Sequence, residues 1–469
     1  MLDLEIHHNL GKDILSVPNE AEAVSRLKDY DFYLLKYKTE DVTTVITDHI
    51  CSIPGFYTQS GEVYVNWEIN KIKAKVDGKD KFSAYKHSGF VIGGKTLDRG
   101  ISTFLPNQKY KISKHETSIE PAFDYRLFDY NPKPIPNLIE SIDKTFEECI
   151  KKLATDSEEY GKVVIPLSGG YDSRIIAYYL KKHLPSEKLL AFTYGKRSNK
   201  EAQKSEYVAE SLQIPWVFVD YDRKLTSQHN DEFRSFMGSN HRIRSLLHFQ
   251  DFFAIKHLLS EGHITENSII VPGHSGDFLF GSHIKNTNSE FYQDLIEKHY
   301  REQALSSSSK QRLAEHVKSA YKIECLEDLL MFNLRERQSK YIINSVRTYE
   351  HFKLKWHMPF WDKSLLLLTN NLSIEDLKGR SLQKRWINEK TKHSIQQQEN
   401  PTEFTRFSRT RSRIPKEGII VQILQRAARL HDVTLHFLNF HKLLSPRERI
   451  MCVLKGRTIK GALAKRSLR

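Results

Sequence analysis

The feature that most constrains the fold is a series of alternating apolar and helical segments between residues 161 and 220. VVIPL, LLAFTY and WVFVD are short, continuously apolar runs, and helical patterns, RIIAYYLKKHL and EAQKSEYVAESL, follow the first two. Strands that are apolar on both faces are typical of a parallel sheet covered by helices. The pattern therefore predicts an α/β domain, in which ligands bind beyond the carboxyl ends of the strands.

The first of these strands ends in Leu-Ser-Gly-Gly-Tyr-Asp-Ser, directly before a helix. Gly169 and Gly170 have no side chains, so backbone N–H groups can approach a ligand at the positive end of the helix dipole, which favours phosphate. Ser168 and Ser173 can add hydroxyl donors. Asp172 would repel a bare phosphate, and we predict that it binds Mg²⁺ that neutralises the phosphate. The loop thus predicts a site for pyrophosphate and magnesium, without the pattern of a Walker A loop.

An alternative interpretation of this loop is a tight strand-to-helix turn, in which Ser, Gly and Asp are common. The complete S-G-G-Y-D-S pattern between a buried strand and a helix favours the ligand site. The pattern resembles the pyrophosphatase loop of the N-type ATP pyrophosphatases, such as asparagine synthetase, GMP synthetase, argininosuccinate synthetase and tRNA lysidine synthetase. The resemblance implies that ATP is cleaved to AMP and pyrophosphate through an adenylylated substrate, with Leu167 and the loop contacting the nucleotide.

Two further stretches are similar to asparagine synthetase in particular. FTYGKRSNKEAQKSEYVAESLQIP resembles its second strand and helix, and this implies that Tyr194 lies where the family's backbone contacts adenosine. VPGHSGDFLFGS resembles the family's S-G-E-G-x-D-E-x-F-G-G, with Gly273 and Asp277 at matching positions. The resemblance implies that Gly273 contacts the nucleotide and that Asp277 is the second Mg²⁺ ligand beside Asp172.

A third stretch, Arg347 and Glu350 followed by MPFWDKSLL, is similar to the family's S-x-E-x-R-x-P-F-L-D segment. With it, the resemblance covers about residues 140–415. Two positions depart from the family. His274 replaces the Glu of S-G-E-G, and its imidazole can either accept a proton from an attacking amine near neutral pH or only hydrogen-bond the loop. Arg409 lies nearest to the family lysine that stabilises the pentavalent phosphorus, and arginine keeps the charge but not the geometry.

The N-terminal 120 residues are predicted to be β-rich, because DFYLLKYK, TTVITD and EVYVNWEI alternate in polarity or are β-branched. GFYTQSGEVYVNWEI and GISTFLPNQKYKI are similar to the end of the glutaminase domain that precedes the synthetase domain in the family. That glutaminase requires a cysteine as residue 2, whereas Leu2 stands here and the earliest cysteine is Cys51. We therefore predict a degenerate, Ntn-hydrolase-like domain without glutaminase activity, so that ammonia or another amine would come from a separate glutaminase or another source.

These patterns predict three parts along the chain. A degenerate glutaminase-like domain occupies residues 1–127, a parallel-sheet ATP pyrophosphatase (PP-loop) domain residues 128–415, and a basic helical extension residues 416–469. The stretch at 128–140 carries three prolines and is predicted to be a linker, followed by the helical pattern LIESIDKTFEECIKKLA. Residues 295–400 are predicted to be mostly helical.

The net charge of +14 is concentrated near the end of the sequence, where residues 401–469 hold sixteen Lys or Arg and four Asp or Glu. Such a segment suits phosphate-rich partners, or it is a solvated basic surface. The stretch GIIVQILQRAARLHDVTLHFLNFHKLL mixes apolar and basic positions, which fits either peripheral contact with an anionic membrane or a packed helix. No apolar run approaches the ~18 residues needed to span a bilayer, and the sequence shows no signal peptide and no C-x-x-C pair. We therefore predict a cytoplasmic protein without a zinc site or disulfides.

Together these features predict an ATP-dependent amide-forming ligase. The preferred acceptor of the adenylyl group is a uronic acid in surface-polysaccharide assembly, followed by a small metabolite or a peptide. The rival hypotheses are a tRNA-modifying PP-loop ATPase, a non-catalytic ATP-binding relative, and a serine hydrolase, since GHSGD nearly matches G-x-S-x-G. The second motif and the absence of an aromatic RNA-binding signature argue against nucleic acid as a partner.

Overall fold

A computed structural model describes residues 1–76, 85, 88–124, 126–129, 132–196, 200–284, 311, 315 and 317–395. Arg409 and the predicted basic extension at 416–469 lie outside the described residues. The predicted domain boundaries therefore stay predictions. Of the segment expected to be helical, the described part from 317 to 395 is mostly helical, with short turns between the helices and one strand of two residues.

The strands are β1 Leu2–His8, β2 Gly11–Val17, β3 Tyr33–Thr39, β4 Val42–Thr47, β5 Gly55–Thr58, β6 Val63–Val65, β7 Ile101–Thr103, β8 Gln108–Ile112, β9 Thr117–Pro121, β10 Lys162–Pro166, β11 Leu189–Gly195, β12 Trp216–Asp220, β13 Ser268–Ile270 and β14 Lys355–Trp356. The α-helices are α1 Glu20–Arg26, α2 Leu138–Asp156, α3 Tyr171–His183, α4 Lys200–Ser211, α5 Arg223–Gln228, α6 Asn230–Gly238, α7 Phe252–Ser260, α8 Gly276–Leu279, α9 Leu326–Asn333, α10 Val346–His351, α11 Lys363–Thr369, α12 Ile374–Leu377 and α13 Ser381–Thr391. A π-helical segment, Leu334–Ile342, continues α9.

The N-terminal region is built from antiparallel strands, as predicted. One sheet has the order β2-β1-β3-β4-β8-β9, and a smaller one the order β6-β5-β7. The prediction of a continuous strand over EVYVNWEI is wrong, because β6 ends at Val65 and a 3₁₀-helix begins at Asn66. Asn66 has a left-handed φ of 50°, and the Glu68 carboxylate accepts the Val65 N–H at 2.9 Å, which caps the new helix.

The predicted α/β domain is confirmed. Its strands pair in parallel in the order β12-β11-β10-β13-β14. Val163, Val164 and Ile165 of the central strand are fully buried, and each such side chain contributes about 1.5–3 kcal/mol relative to an exposed one. The chain proceeds from β10 outward to β12 and then returns to β13 on the other side of β10. The switch point of the sheet therefore lies between β10 and β13, where a ligand crevice is expected.

The helices α2 and α13 pack against each other and against α3. The predicted helix around Phe146 is α2, and Phe146 packs against Trp386 of α13 with ring centroids 5.3 Å apart. Asp143 of α2 accepts hydrogen bonds from Trp386 Nε1 at 2.8 Å and from Lys390 Nζ at 2.6 Å, and from the Tyr179 hydroxyl of α3. The C-terminal half of α13 is thus fixed against α2 and α3. Within the described ranges, no helix combines the length and the apolar character needed to cross a membrane.

Candidate nucleotide and metal site

The loop after β10 depends on a glycine in the left-handed region. Gly169 has a φ of +64°, and a Cβ there would lie 2.6 Å from the Cβ of Lys204 on α4. The hydroxyl of Ser173 accepts the Ser168 N–H at 3.1 Å, and the hydroxyl of Ser168 accepts the Gly170 N–H at 3.4 Å. The loop therefore curls over the N-terminus of α3, where the helix dipole and backbone N–H groups favour an anion.

Leu167 precedes this loop and has no free polar group. Its N–H donates to Phe192 O at 2.9 Å, its carbonyl accepts the Thr193 hydroxyl at 2.5 Å, and its side chain is buried. In this structure Leu167 anchors Ser168 to the sheet. A contact between Leu167 and a nucleotide stays a prediction.

Asp172, in the first turn of α3, is where three segments of the chain meet. Its Oδ2 accepts the backbone N–H of Asp277 at 3.0 Å. Its Oδ1 accepts from Nε2 of Gln383 at 2.6 Å and lies 3.3 Å from Nη2 of Arg380. The structure thus brings the two carboxylates predicted from the sequence to one place, and adds a guanidinium and an amide from the start of α13.

Two glycines after β13 allow this close approach. A Cβ on Gly273 would lie 2.9 Å from the Ser173 nitrogen, and a Cβ on Gly276 would lie 2.9 Å from Cγ of Asp172. Any side chain at these positions would push the turn away from α3. Gly273 is therefore explained by packing against the loop, which places it at the site as expected.

The surroundings shift the pKa values of Asp172 and Asp277 in opposite directions. Burial, and then the charge of Asp277, raises the pKa of Asp172 to about 7. Burial also opposes ionisation of Asp277, but His283, Ser282 and Arg380 outweigh it and hold the pKa of Asp277 below its ordinary value. The charge of Asp277 thus disfavours ionisation of Asp172, and a cation bound by the two carboxylates would remove this penalty.

The donor set fits Mg²⁺ bound together with a nucleotide. Mg²⁺ takes one or two carboxylates and fills its remaining positions with phosphate oxygens and water. Asp172 and Asp277 supply two carboxylates, and no group of three or more His, Cys, Asp or Glu placed to hold a metal exists among the residues that the structure describes. The residues therefore match a metal that arrives with phosphates, rather than a cage built entirely from protein.

Arg380 and Gln383 have no signal in the sequence that would place them here. They follow Asp172 by more than 200 residues and belong to none of the motifs. Asp172 is 19% exposed and Arg380 24% exposed, so both side chains border solvent. Together they add a cation to the anion-binding end of α3.

His274 lies in the turn between β13 and Asp277. Its Nε2 is buried and has no hydrogen-bond partner among the described residues. Burial lowers the pKa of His274, and the charges of Asp251 and Asp277 only partly oppose this. The ring is therefore a neutral imidazole with an uncommitted nitrogen, and its centroid lies 5.9 Å from that of His248.

Tyr194 ends β11, beside the loop. Its hydroxyl donates to Asp251 Oδ1 at 2.5 Å, and its ring stacks on Tyr221 with centroids 5.0 Å apart. The other oxygen of Asp251 accepts the hydroxyl of Tyr349 at 2.5 Å. The hydroxyl of Tyr194 is thus committed to the protein, and the predicted contact with adenosine is left to its backbone.

Three other features noted in the sequence contact protein side chains in this structure. Arg347 and Glu350 form an ion pair with a 2.7 Å distance at the boundary with the N-terminal region. Asp362 pairs with His357 at 2.7 Å. Ser275, the serine of GHSGD, has a φ of +69° and donates to Oε1 of Gln338 at 2.8 Å. An amide carbonyl cannot serve as the base of a serine hydrolase, so this rival hypothesis loses support.

A parallel sheet with a glycine loop over a helix N-terminus at its switch point, beside paired carboxylates, defines an ATP pyrophosphatase-type (PP-loop) domain. The family model of asparagine synthase matches residues 141–393, which is more than half of the chain. The chain belongs to the asparagine synthase family, as its motifs predict.

Individual relatives are more distant. Over 170 residues the chain is 31% identical to 7-cyano-7-deazaguanine synthase 2 of Sulfurisphaera tokodaii, and the alignment covers 34% of this chain and 35% of that protein. The chain therefore spans about a third of the length of this curated relative.

Two solved structures of synthetases are also similar. An NH₃-dependent NAD synthetase from Campylobacter jejuni has a TM-score of 0.25 and 14% identity, covering 44% of this chain and 95% of that one. An NMN synthetase from Francisella tularensis has a TM-score of 0.24 and 15% identity, covering 47% of this chain and 98% of that one. Similarity at this level says nothing about substrate.

Proposed function

We propose that this protein is an ATP-dependent amide-forming ligase. It activates a carboxylate as an acyl-adenylate, releases pyrophosphate, and transfers the acyl group to ammonia or another amine. The observation that carries this proposal is the meeting of Asp172 and Asp277 beside the Ser168–Ser173 loop at the switch point of the sheet. Family membership supports the same class of chemistry.

In the first step, an oxygen of the substrate carboxylate attacks the α-phosphorus of ATP, and the bond to the pyrophosphate oxygen breaks. The loop N–H groups and the α3 dipole stabilise the negative charge that develops on the pyrophosphate. Mg²⁺, held by Asp172 and Asp277 when bound, neutralises charge on the phosphates. Catalysis comes mainly from positioning and charge neutralisation, as is usual when phosphorus is the electrophile.

In the second step, the amine nitrogen attacks the acyl carbon, AMP leaves, and the nitrogen loses a proton. His274 is the proposed acceptor of that proton, since its neutral ring has a buried Nε2 without a partner in the described part of the chain. Arg409, outside the described residues, is proposed to stabilise the charge on phosphorus as the family lysine does.

The amine donor is proposed to be free ammonia, or ammonia from a separate glutaminase. Leu2 is paired with Val17 between β1 and β2, and offers no nucleophile. Cys51 is fully buried, and burial raises the pKa of its thiol to about 11, so it is not a reactive thiolate. For the carboxylate we propose a uronic acid used in surface-polysaccharide assembly, with a small metabolite or a peptide as the next candidates.

The test is nucleotide product analysis of the purified protein with ATP, Mg²⁺ and ammonium, and a panel of aspartate, uronic acids and nucleotide-linked uronic acids. We expect AMP and pyrophosphate with one acid, and loss of both in Asp172→Ala. AMP formed by Asp172→Ala at the wild-type rate would contradict the site. ADP as the product would contradict the PP-loop assignment. ATP binding without turnover on any acid would favour a non-catalytic relative.

A tRNA-modifying ATPase is the second candidate, and one observation favours it. Residues 401–469 carry sixteen Lys or Arg against four Asp or Glu, a charge pattern that suits RNA. If it were correct, the full-length protein would bind tRNA with an affinity that falls steeply between 50 and 200 mM salt, as expected for phosphate contacts. Failure to bind tRNA at low salt would remove this candidate.

A further inference from the structure

The turn before α13 has an unusual backbone. Gly379 and Arg380 adopt left-handed φ values of +65° and +61°, one after the other, between α12 and α13. Glycine adopts this conformation freely, but arginine does so at a cost and usually where the surroundings fix it. The surroundings that fix Arg380 are those of Asp172.

The side-chain amide of Gln383 contacts both the guanidinium of Arg380 and the carboxylate of Asp172. Oε1 of Gln383 accepts hydrogen bonds from Nε of Arg380 at 2.8 Å and from Nη2 at 2.6 Å. Nε2 of Gln383 donates to Oδ1 of Asp172 at 2.6 Å. The direct distance from Nη2 of Arg380 to Asp172 Oδ1 is 3.3 Å, which is longer than the usual distance for a charge-assisted hydrogen bond.

This arrangement fixes the carboxylate at both oxygens and leaves part of the guanidinium uncommitted. Oδ2 of Asp172 is held by the Asp277 N–H, and Oδ1 by Gln383. Nη1 of Arg380 makes no hydrogen bond to any described residue, and the guanidinium carbon lies 5.9 Å from the ring centroid of Tyr171, the first residue of α3. The free donor therefore lies near the anion-binding end of that helix.

We propose that Gln383 is a positioning residue of the nucleotide site. Its amide holds the metal-ligating carboxylate of Asp172 and the guanidinium of Arg380 in fixed places, with Nη2 of Arg380 3.3 Å from the carboxylate, so that Nη1 of Arg380 can bind the pyrophosphate end of ATP. The inference rests on the proposed function, because it requires a nucleotide with Mg²⁺ at this site. Supporting residues of this kind typically change metal affinity or activity by about 10–100-fold.

A purely structural role for Gln383, holding α13 in place, is the alternative. The contacts of Asp143 with Trp386 and Lys390 already anchor that helix, and they do not involve Gln383. Replacing the amide should therefore leave the helix where it is. If Gln383 had only a structural role, its replacement would lower stability without a specific loss of phosphate affinity. This difference distinguishes the structural role from the positioning role.

The experiment measures dissociation constants of full-length protein for magnesium pyrophosphate and for a non-hydrolysable ATP analogue with Mg²⁺, by calorimetry, together with Tm. For Gln383→Met, which keeps the length but loses the amide, we expect binding weaker by about 10–100-fold and little change in Tm. Gln383→Glu should bind more weakly still, because it adds a negative charge beside Asp172 and cannot donate to it.

Arg380→Gly provides the second variant. We expect it to weaken pyrophosphate binding while Tm stays equal or rises, because glycine relieves the left-handed conformation of residue 380. Arg385→Gln is the matched control, since it removes the same charge from an exposed position of α13 and should bind as the wild type does.

Wild-type affinity in Gln383→Met would overturn the inference and leave the proposed function standing. A fall in Tm with unchanged affinity would overturn it in favour of the structural role. No binding of either ligand by the wild-type protein would overturn the proposed function, and the inference with it.

Discussion

Two clusters in this molecule pair an arginine with a carboxylate, and they differ in how completely the charges are satisfied. Arg347 is fully buried and pairs with Glu350 at 2.7 Å. Arg380 is 24% exposed and lies 3.3 Å from Asp172. In the second cluster the charge of Asp277 also acts on Asp172 and raises its pKa.

The Arg347 cluster is a joint between the two regions of the described structure. Besides Arg347, the Glu350 carboxylate accepts from Asn66 Nδ2 at 2.9 Å, from Trp67 Nε1 at 3.0 Å and from Trp356 Nε1 at 3.0 Å. Nη2 of Arg347 donates to the carbonyl of Ser52 at 2.7 Å. Residues of the β-rich region thus take part in the cluster, and the described residues supply four donors to the Glu350 carboxylate.

The Asp172 cluster, which consists of Asp172, Asp277, Arg380 and Gln383, differs from the Arg347 cluster in its charges and in its unused donors. The charge of Asp277 raises the pKa of Asp172, and the guanidinium of Arg380 keeps Nη1 free of protein partners in the described ranges. Such a site is completed by a cation and phosphates. Burial of an arginine–carboxylate pair therefore does not mark a functional site by itself, whereas a carboxylate whose pKa is raised by a neighbouring carboxylate beside a glycine loop marks a candidate site.

The largest effect on stability is expected from breaking the completed cluster. Glu350→Ala leaves the buried Arg347 without its counter-charge, although Nη1 of Arg347 keeps Asn66 Oδ1 as an acceptor. It also removes the acceptor of Asn66 Nδ2, Trp67 Nε1 and Trp356 Nε1. Removing one partner of a buried pair typically costs about 3–5 kcal/mol, so we expect a loss of this size in the free energy of unfolding from urea denaturation.

The control is Glu375→Ala, which removes a surface pair with Lys378 at 3.9 Å, where the glutamate side chain is 77% exposed. It should cost no more than about 1 kcal/mol. A loss in Glu350→Ala as small as in Glu375→Ala would mean that the buried cluster does not join the two regions.

The sequence predicts one of these clusters far better than the other. Asp172 and Asp277 are predictable because each lies in a contiguous motif directly after a strand of one parallel sheet, so the topology brings them together. Arg380 and Gln383 could not be predicted to lie at the site, because an arginine with a left-handed backbone at the start of a helix has no distinctive sequence pattern.

The same limit applies at the boundary with the β-rich region. Arg347 and Glu350 are visible as a family-like segment, but their position depends on Asn66 and Trp67, where a strand was expected and a 3₁₀-helix forms. Alternation of polarity indicated a strand over EVYVNWEI, but a 3₁₀-helix forms, with tertiary contacts of Asn66 and Trp67 to Glu350 and a local cap by Glu68. Contacts between segments far apart in sequence leave no local periodicity to detect.

In the Asp172 cluster we expect a substitution to change ligand affinity much more than stability. Asp277→Asn removes the like charge next to Asp172 and preserves the backbone N–H that Asp172 accepts. The variant also loses the attraction of the Asp277 carboxylate to His283 and Arg380, which offsets the relief of repulsion, so we expect the free energy of unfolding without ligands to change by about 1 kcal/mol or less. Affinity for ATP with Mg²⁺ should fall by more than about a hundredfold. Denaturation and calorimetry on the same preparation check both. A destabilisation as large as that of Glu350→Ala would show that Asp277 is a structural residue.

The smallest effect concerns a third pair, His357 and Asp362, whose atoms Nε2 and Oδ1 lie 2.7 Å apart. Burial and Lys152 act to lower the pKa of His357, but Asp362 and Asp31 outweigh them and raise it above its ordinary value of 6.5. A raised folded-state pKa contributes stability that is fully present below pH 6.5 and is lost as the pH rises through the folded pKa. We therefore expect the unfolding free energy of the wild type to decline above pH 6.5 more steeply than that of His357→Gln, which has no group to titrate. Parallel pH profiles for the two proteins would show that folding does not raise the pKa of His357, and that this pair, unlike Arg347 and Glu350, gains no stability from opposite charges.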